Sequence, residues 1–455
     1  MNDAPARVVV TRIIGWAASV FQRIEKHGGV VPPGPVLVVA NHPNSLLDPL
    51  VVFRTAGRPT RPLAKAPLFE QAFVGSMLRL LGGLPVFRKQ DDASQMHRNE
   101  QTFDAAIDAL RSGHAVQIYP EGISHSEPSL VPLRTGAARI AFGAETRSDW
   151  MLGLRIVPIG ITYRRKTLFR GTALAFVGEA FTITRFRNHY EDDPVAAVQA
   201  LTTELAHRLE AVTLNVTESE DIELIETADR LYSREKGMQR WREREDMADK
   251  LPRLQRFARG LAWLRANDPV RHARLSAAVM RYHRTLTLLG AEAGDVPRSY
   301  EVFATIRYVV RESLLLLLGL PFAAAGALVW APAFVAPRFV LRAVRPPHEA
   351  IATYKFATGF VAAPLTALLC AIAAGILAGP GVAVVAFLAA PLLGLVSIAF
   401  HERWRRVRED ARVFYRALRN RRSVDRLAVV RSSLAADFDR ILQEAPGILN
   451  GGSIP

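Results

Sequence analysis

Val36-Leu37-Val38-Val39-Ala40-Asn41-His42-Pro43-Asn44-Ser45-Leu46-Leu47-Asp48-Pro49 is the stretch from which the fold is read. Its first five residues are apolar without interruption and rich in β-branched side chains. A run this short predicts a strand buried on both faces rather than a helix. The polar turn after it sets an imidazole and a carboxylate at the strand's end, where active-site loops commonly sit.

The same pattern recurs downstream. Short apolar runs at 84–87, 115–119, 156–161 and 174–177 alternate with helical stretches such as 48–55, 72–81 and 100–112. Strands alternating with helices predict an α/β fold, a mixed sheet covered by helices. Upstream, Val9, Ile13, Trp16, Val20 and Ile24 recur at spacings of three and four, which predicts an amphipathic helix over 6–27. It either lies in a membrane interface with Trp16 at headgroup depth or packs on the domain.

After residue 195 the strand runs fade into charge-dotted helical patterns. Three uncharged apolar stretches follow at 313–335, 356–379 and 382–400. Each approaches the roughly 20 residues that a helix needs to cross a bilayer. The first contains Gly319, Pro321 and Gly326 and has arginines on both flanks, so it is either a simple crossing or a broken helix that re-enters. The expected organisation is an interface helix over 1–30, a catalytic domain over 31–190 and a helical subdomain over 191–312. Membrane-inserted helices over 313–400 and a basic amphipathic tail over 401–455 complete it.

Composition narrows the function classes. The 455 residues carry a formal net charge of +15, and 49 % are hydrophobic. The charge suits polyanionic partners, and the apolar stretches point to lipid rather than nucleic acid. Interleaved aromatic and basic residues of the kind that bind single strands are missing from the sequence. Cys370 is the single cysteine, which excludes an internal disulfide and a thiolate metal site. The N-terminal residues show no apolar core followed by a small-residue cleavage site. The arginine and alanine bias leads us to expect a bacterial inner-membrane protein with its site on the cytoplasmic face.

Transfer of an acyl group to an alcohol needs a base for the hydroxyl proton, and a neutral imidazole oriented by a carboxylate suits this. His42 and Asp48 are candidates. Gly83-Leu84-Pro85-Val86-Phe87-Arg88 ends on an arginine able to grip a phosphate with two N–H groups. Tyr119-Pro120-Glu121-Gly122-Ile123-Ser124-His125-Ser126 ends another strand with a carboxylate and a glycine turn. Val157-Pro158-Ile159-Gly160 is a fourth apolar block, fit to wall an acyl channel. Lys65 is either a phosphate contact or a lysine lying along the surface. Arg164, Arg165 and Lys166 read as a solvated basic loop or a contact for a carrier protein or headgroup.

These four blocks, in this order, resemble those of the glycerolipid acyltransferase superfamily, the lysophosphatidate and glycerol-phosphate acyltransferases, over residues 35–180. The resemblance implies His42 as general base and Asp48 as its partner. It implies Arg88, Glu121 and Gly122 in binding a phosphorylated glycerol acceptor, Pro158 in the last block, and acyl-CoA or acyl-carrier protein as thioester donor. No permanently bound cofactor is expected. The Glu-Gly-Ile-Ser-His stretch, followed by Arg134 before Gly136-Ala137, is similar to fungal-type glycerol-3-phosphate and dihydroxyacetone-phosphate acyltransferases. That adds Ser124 and Arg134, the latter near a helix N-terminus. The expected activity is therefore acylation of glycerol 3-phosphate or dihydroxyacetone phosphate in phospholipid biosynthesis. The alternatives are 1-acylglycerol 3-phosphate as acceptor, or a non-catalytic lipid-binding protein on the same fold.

One departure from the family stands out. Members usually place four residues between the histidine and the aspartate, and here residues 43–47 make five. Either the extra residue bulges the loop and keeps the pair in contact, or Asn44 or another carboxylate orients His42.

Overall fold

A computed structural model of the chain describes residues 5–87, 99–127, 129–214, 216, 219–237, 247–288, 302–419 and 421–444. They fall into two units, Met1–Asn215 with Pro346–Phe356, and Val216–Arg345 with Ala357–Pro455.

The first unit begins α1 (Pro5–Phe21), β1 (Gln22–Gly28), β2 (Val36–Ala40), α2 (Leu47–Ala56), β3 (Thr60–Lys65), α3 (Pro67–Glu70), α4 (Ala72–Leu80) and β4 (Leu84–Val86). It continues through α5 (Asn99–Arg111), β5 (Ala115–Ile118), α6 (Gly136–Thr146), β6 (Arg155–Arg164), β7 (Gly171–Val177), α7 (Arg187–Asp192) and α8 (Pro194–Val212). The strands form one seven-stranded sheet in the order β1-β7-β6-β2-β5-β3-β4. Neighbours run parallel except β6 and β7. The sheet is thus mixed, as the alternation predicts.

β2 shows why an unbroken apolar run reads as a central strand. Leu37 and Val39 join a core with α5, α6 and α8, while Val36, Val38 and Ala40 join a core with α2 on the opposite face. All five residues are fully buried. Because β2, β5, β3 and β4 are parallel neighbours, their C-terminal ends share one edge of the sheet. Open parallel sheets place their sites at that edge.

Three boundaries differ from the sequence reading. The helix expected over 6–27 ends at Phe21, and residues 22–28 instead pair with β7 as an edge strand. On α1, Ile14, Ala18 and Phe21 are buried, whereas Val9, Ile13 and Trp16 stay exposed. One face of α1 therefore packs on the domain, and Val9, Ile13 and Trp16 lie on the face left exposed. The short strand β3, hidden in Thr-Arg-Pro-Leu-Ala-Lys, lacks the apolar density that marks its neighbours. Third, α8 belongs to the first unit rather than to a segment after 190, because its apolar face, Ala197, Leu201, Leu205 and Leu209, completes the sheet's core. Asp193 caps it by accepting from the N–H groups of Val195 and Ala196, with Pro194 at the first helical position.

The second unit contains α9 (Ser219–Glu235), α10 (Met247–Asn267), α11 (Pro269–Leu288), α12 (Val302–Val344), α13 (Ile351–Ala378), α14 (Pro380–Arg419) and α15 (Arg421–Glu444). The first residues of α13 belong to the first unit. α9, α10, α11 and α15 share a core containing Leu231, Leu264, Val279 and Phe438. Residues 421–444 are therefore a packed helix rather than a free basic tail, and the buried Arg431 pairs with Glu235. Among the described residues, three helices are long and apolar enough to cross a membrane: Ile306–Val344, His348–Ala378 and Pro380–Arg412. α12 runs unbroken through Pro321, so the re-entrant alternative does not hold. α12 and α14 lie antiparallel, with Tyr308 donating to Asp410 and the Trp330 indole N–H to the carbonyl of Ala390.

Gly160 gives a test of the sheet's packing. A Cβ there would lie 1.8 Å from the carbonyl oxygen of Val212 at the end of α8. Gly160→Ala is expected to destabilise the first unit by about 1–3 kcal/mol. Thermal unfolding of the purified protein measures this, and an unchanged midpoint would contradict the close seat of α8 on β6.

Candidate active site

The site is built where β2 and β5 end. Register aligns Val39 with Ile118, so the loops leaving the two strands run side by side. They are joined at four points. The His42 N–H donates to Glu121 Oε1 at 2.8 Å, and the His125 N–H donates to the His42 carbonyl at 3.2 Å. The Ser45 N–H and hydroxyl both donate to Ser124 Oγ, at 2.9 and 3.3 Å. Asn41 fastens the other side: its side-chain amide exchanges two hydrogen bonds with the backbone of Ile161 on β6.

His42 Nδ1 lies 2.8 Å from Asp48 Oδ2. The added residue is therefore absorbed as a bulge, and Asp48 is the orienting carboxylate. Ser45 absorbs it by taking a left-handed backbone, φ 42°. Two turns, Leu47 N–H to Asn44 O and Asp48 N–H to Ser45 O, then bring the chain back into α2. Asp48 is fully buried. A buried carboxylate must be surrounded by donors, and three converge on it. His42 Nδ1–H and the Asn44 N–H reach Oδ2, and the Tyr163 hydroxyl reaches Oδ1 at 2.7 Å. With Nδ1 committed as donor, Nε2 is the ring nitrogen with a lone pair. The ring stacks on Tyr119 at 4.3 Å between centroids and keeps 20 % of its side-chain surface exposed.

Burial, reinforced by the negative charge of Asp48, pushes the Tyr119 and Tyr163 hydroxyls well above the usual tyrosine range. Both stay protonated donors at any physiological pH. Neither tyrosine is among the residues singled out from sequence, because each looks like one more apolar residue at a strand's end.

Glu121 and Ser124, which the resemblance implies in binding the acceptor, bond to the protein's own loops. Glu121 is buried, and its oxygens accept from His42, His125 (2.5 Å) and the Val131 N–H. Ser124 braces Ser45. Both hold the loop that carries His42. Gly122 turns with φ 72°, and a Cβ there would meet the Arg134 guanidinium at 2.6 Å. Arg134 is exposed, lies two residues before α6, and donates its N–H to Pro120 O at 2.8 Å. Lys65 is exposed at the end of β3, in register with Val86. Arg88 lies outside the described residues. Lys166, read from sequence as part of a basic loop, instead folds inward. Its ammonium donates to the carbonyl of Pro43 and to Ser126 Oγ, and burial lowers its pKa from the ordinary lysine value.

An imidazole backed by a buried carboxylate, with its far nitrogen free, is the apparatus of proton abstraction from an alcohol or thiol. Comparison with known proteins agrees: residues 23–162 match the acyltransferase family model. The chain carries an acyltransferase-family domain. It is similar to glycerol-3-phosphate O-acyltransferase 2 of Saccharomyces cerevisiae, 28 % identical over 52 % of this chain and 31 % of the yeast protein. It is also similar to glycerol-3-phosphate O-acyltransferase 1 of the same yeast, 25 % identical over 61 % of this chain and 36 % of that protein. The chain thus spans about a third of the length of these relatives. Both are fungal, so they lend no support to the bacterial membrane expected from composition. The crystal structure of a 1-acyl-sn-glycerophosphate acyltransferase from Thermotoga maritima matches 44 % of this chain and 80 % of its own, at 17 % identity and a TM-score of 0.32.

Two substitutions rank the contacts to Asp48. Asp48→Asn removes the acceptor that sets the imidazole tautomer and is expected to lower kcat by about 10³–10⁴. Tyr163→Phe removes one hydrogen bond to the carboxylate and is expected to cost about tenfold. Steady-state acyl transfer by both variants is the check, and a parental kcat in Asp48→Asn would contradict the pairing.

Proposed function

We propose that the protein is a membrane-associated glycerolipid acyltransferase that acylates glycerol 3-phosphate from an acyl-CoA or acyl-carrier-protein thioester. The His42–Asp48 contact carries this reading. The acceptor hydroxyl gives its proton to His42 Nε2 as its oxygen attacks the thioester carbonyl. Asp48 stabilises the imidazolium that forms. When the tetrahedral adduct collapses, the C–S bond breaks and the imidazolium returns the proton to the departing sulfur. An ester and a free thiol result, with no acyl-enzyme.

Three further observations support the acceptor and the setting. Arg134 beside the Gly122 turn offers a guanidinium for the phosphate, and Lys65 offers a second cation at the same sheet edge. The names of the two yeast relatives give glycerol 3-phosphate as the acceptor. The three apolar helices, together with the exposed Val9, Ile13 and Trp16 on α1, suit an enzyme that releases its product into a bilayer.

The test is a panel of acceptors with one labelled acyl thioester, read by product mass. Monoacylglycerol phosphate from glycerol 3-phosphate is expected. Product from 1-acylglycerol 3-phosphate alone would contradict the acceptor assigned. Arg134→Ala is expected to raise the apparent KM for the phosphorylated acceptor about tenfold or more while changing kcat less. An unchanged KM would remove the guanidinium from the phosphate site.

A further inference from the structure

The short link between the two apolar helices α12 and α13 reaches back into the loops around His42. Thr353 Oγ1 accepts from the Leu46 N–H at 3.3 Å. Leu46 is the N-cap residue just before α2 and has no side-chain oxygen of its own to act as a cap. Glu349 Oε1 accepts from the Ser126 hydroxyl at 3.1 Å. Ser126 Oγ accepts from Lys166 Nζ at 2.5 Å, and the same ammonium donates to the carbonyl of Pro43. Lys355 Nζ donates to the carbonyl of Thr167 at 2.6 Å. Phe356, buried, packs edge-on against Phe21 at 5.8 Å between centroids. Pro346–Phe356 thereby belongs to the catalytic unit, although most of α12 and α13 belongs to the other.

Pro43 and Leu46 bracket the left-handed Ser45, the point where the loop departs from ordinary backbone geometry. A residue in that conformation persists only where its surroundings hold it. Ser124 holds its N–H from one side. The link holds the residues on either side of it, Leu46 directly and Pro43 through Glu349, Ser126 and Lys166. The loop's far end is Asp48, so a shift at Leu46 is a shift of the carboxylate that orients the base.

We propose that Pro346–Phe356 is a positioning clamp on the catalytic loop, with Thr353 and Glu349 as its positioning residues. The inference rests on His42 being the base. The clamp touches Leu46 and reaches Pro43 through Ser126 and Lys166. Both residues lie between His42 and Asp48, and the clamp does not touch the pair itself, so it sets the geometry of proton transfer and leaves substrate affinity alone. It also gives the apolar helices a second task. The chain segment that joins two of them is part of the catalytic apparatus, and they do more than anchor it.

The experiment uses the full chain in phospholipid vesicles, with palmitoyl-CoA and glycerol 3-phosphate. His42→Ala comes first and is expected to abolish turnover. Turnover surviving there removes the base and the clamp with it, before any clamp variant is read. Thr353→Val, near-isosteric but without the hydroxyl, is expected to lower kcat about tenfold or more, since small misplacements of reacting groups carry costs of that order. KM for both substrates is expected to stay within about twofold, and Thr353→Ser to recover most of the rate. A parental kcat in Thr353→Val overturns the clamp. So does a Thr353→Ser variant as slow as Thr353→Val, which would show that bulk and not the hydroxyl matters. Glu349→Ala, which removes the oxygen that accepts from Ser126, lies outside any apolar core and gives a second reading if Thr353→Val fails to fold. A lowered kcat at unchanged KM is expected, and a parental kcat overturns the clamp.

Discussion

A fully buried carboxylate is the constraint on which the site depends. Asp48 has no water to solvate it, and three donors, an imidazole, a backbone amide and a phenol, take that role. Each comes from a different part of the structure: the loop after β2, the turn within it, and the end of β6. Charging Asp48 therefore requires the loop, the sheet and the ring to be in place together. The same requirement leaves His42 with one tautomer and one free nitrogen. On the proposed mechanism, the same set of hydrogen bonds serves both stability and catalysis.

A second buried carboxylate extends the logic to the neighbouring strand. Glu121 accepts from His42, His125 and the Val131 N–H. The two loops leaving β2 and β5 thus form one rigid block, with Gly122 and Arg134 at its outer edge. On the proposed reading, that arrangement separates holding from binding: buried acids fix the base, and exposed cations are left for the acceptor. Pro346–Phe356 adds a third support from a distant part of the chain, and it is polar where the flanking helices are apolar.

Much of this was legible in the sequence because burial on both faces of a parallel sheet leaves an unmistakable mark. Val36–Ala40 could hardly be anything but a central strand, and the polar residues after it had to fall at the sheet edge. β3 escaped notice because a strand of Thr, Arg and Pro near the sheet's margin carries no apolar signature. The His42–Asp48 contact was legible as a pair but not as a geometry, since whether six positions of chain close into a ring depends on Ser45 taking a left-handed backbone. Tyr163 and Lys166 were hidden for a different reason. Their roles arise from where β6 ends relative to β2, a long-range register that local pattern does not encode. The link at 346–356 was the least visible, being a few polar residues between apolar stretches and 188 to 307 positions from their hydrogen-bond partners.

The central claim is that the free nitrogen of His42 takes the acceptor's proton. The most direct measurement is acyl transfer by His42→Gly, which opens a space at the ring's position, with and without free imidazole. The expected result is no turnover alone and a rate that climbs with imidazole concentration, because the added base occupies the vacated place beside Asp48. Turnover at the parental rate without imidazole would contradict the claim.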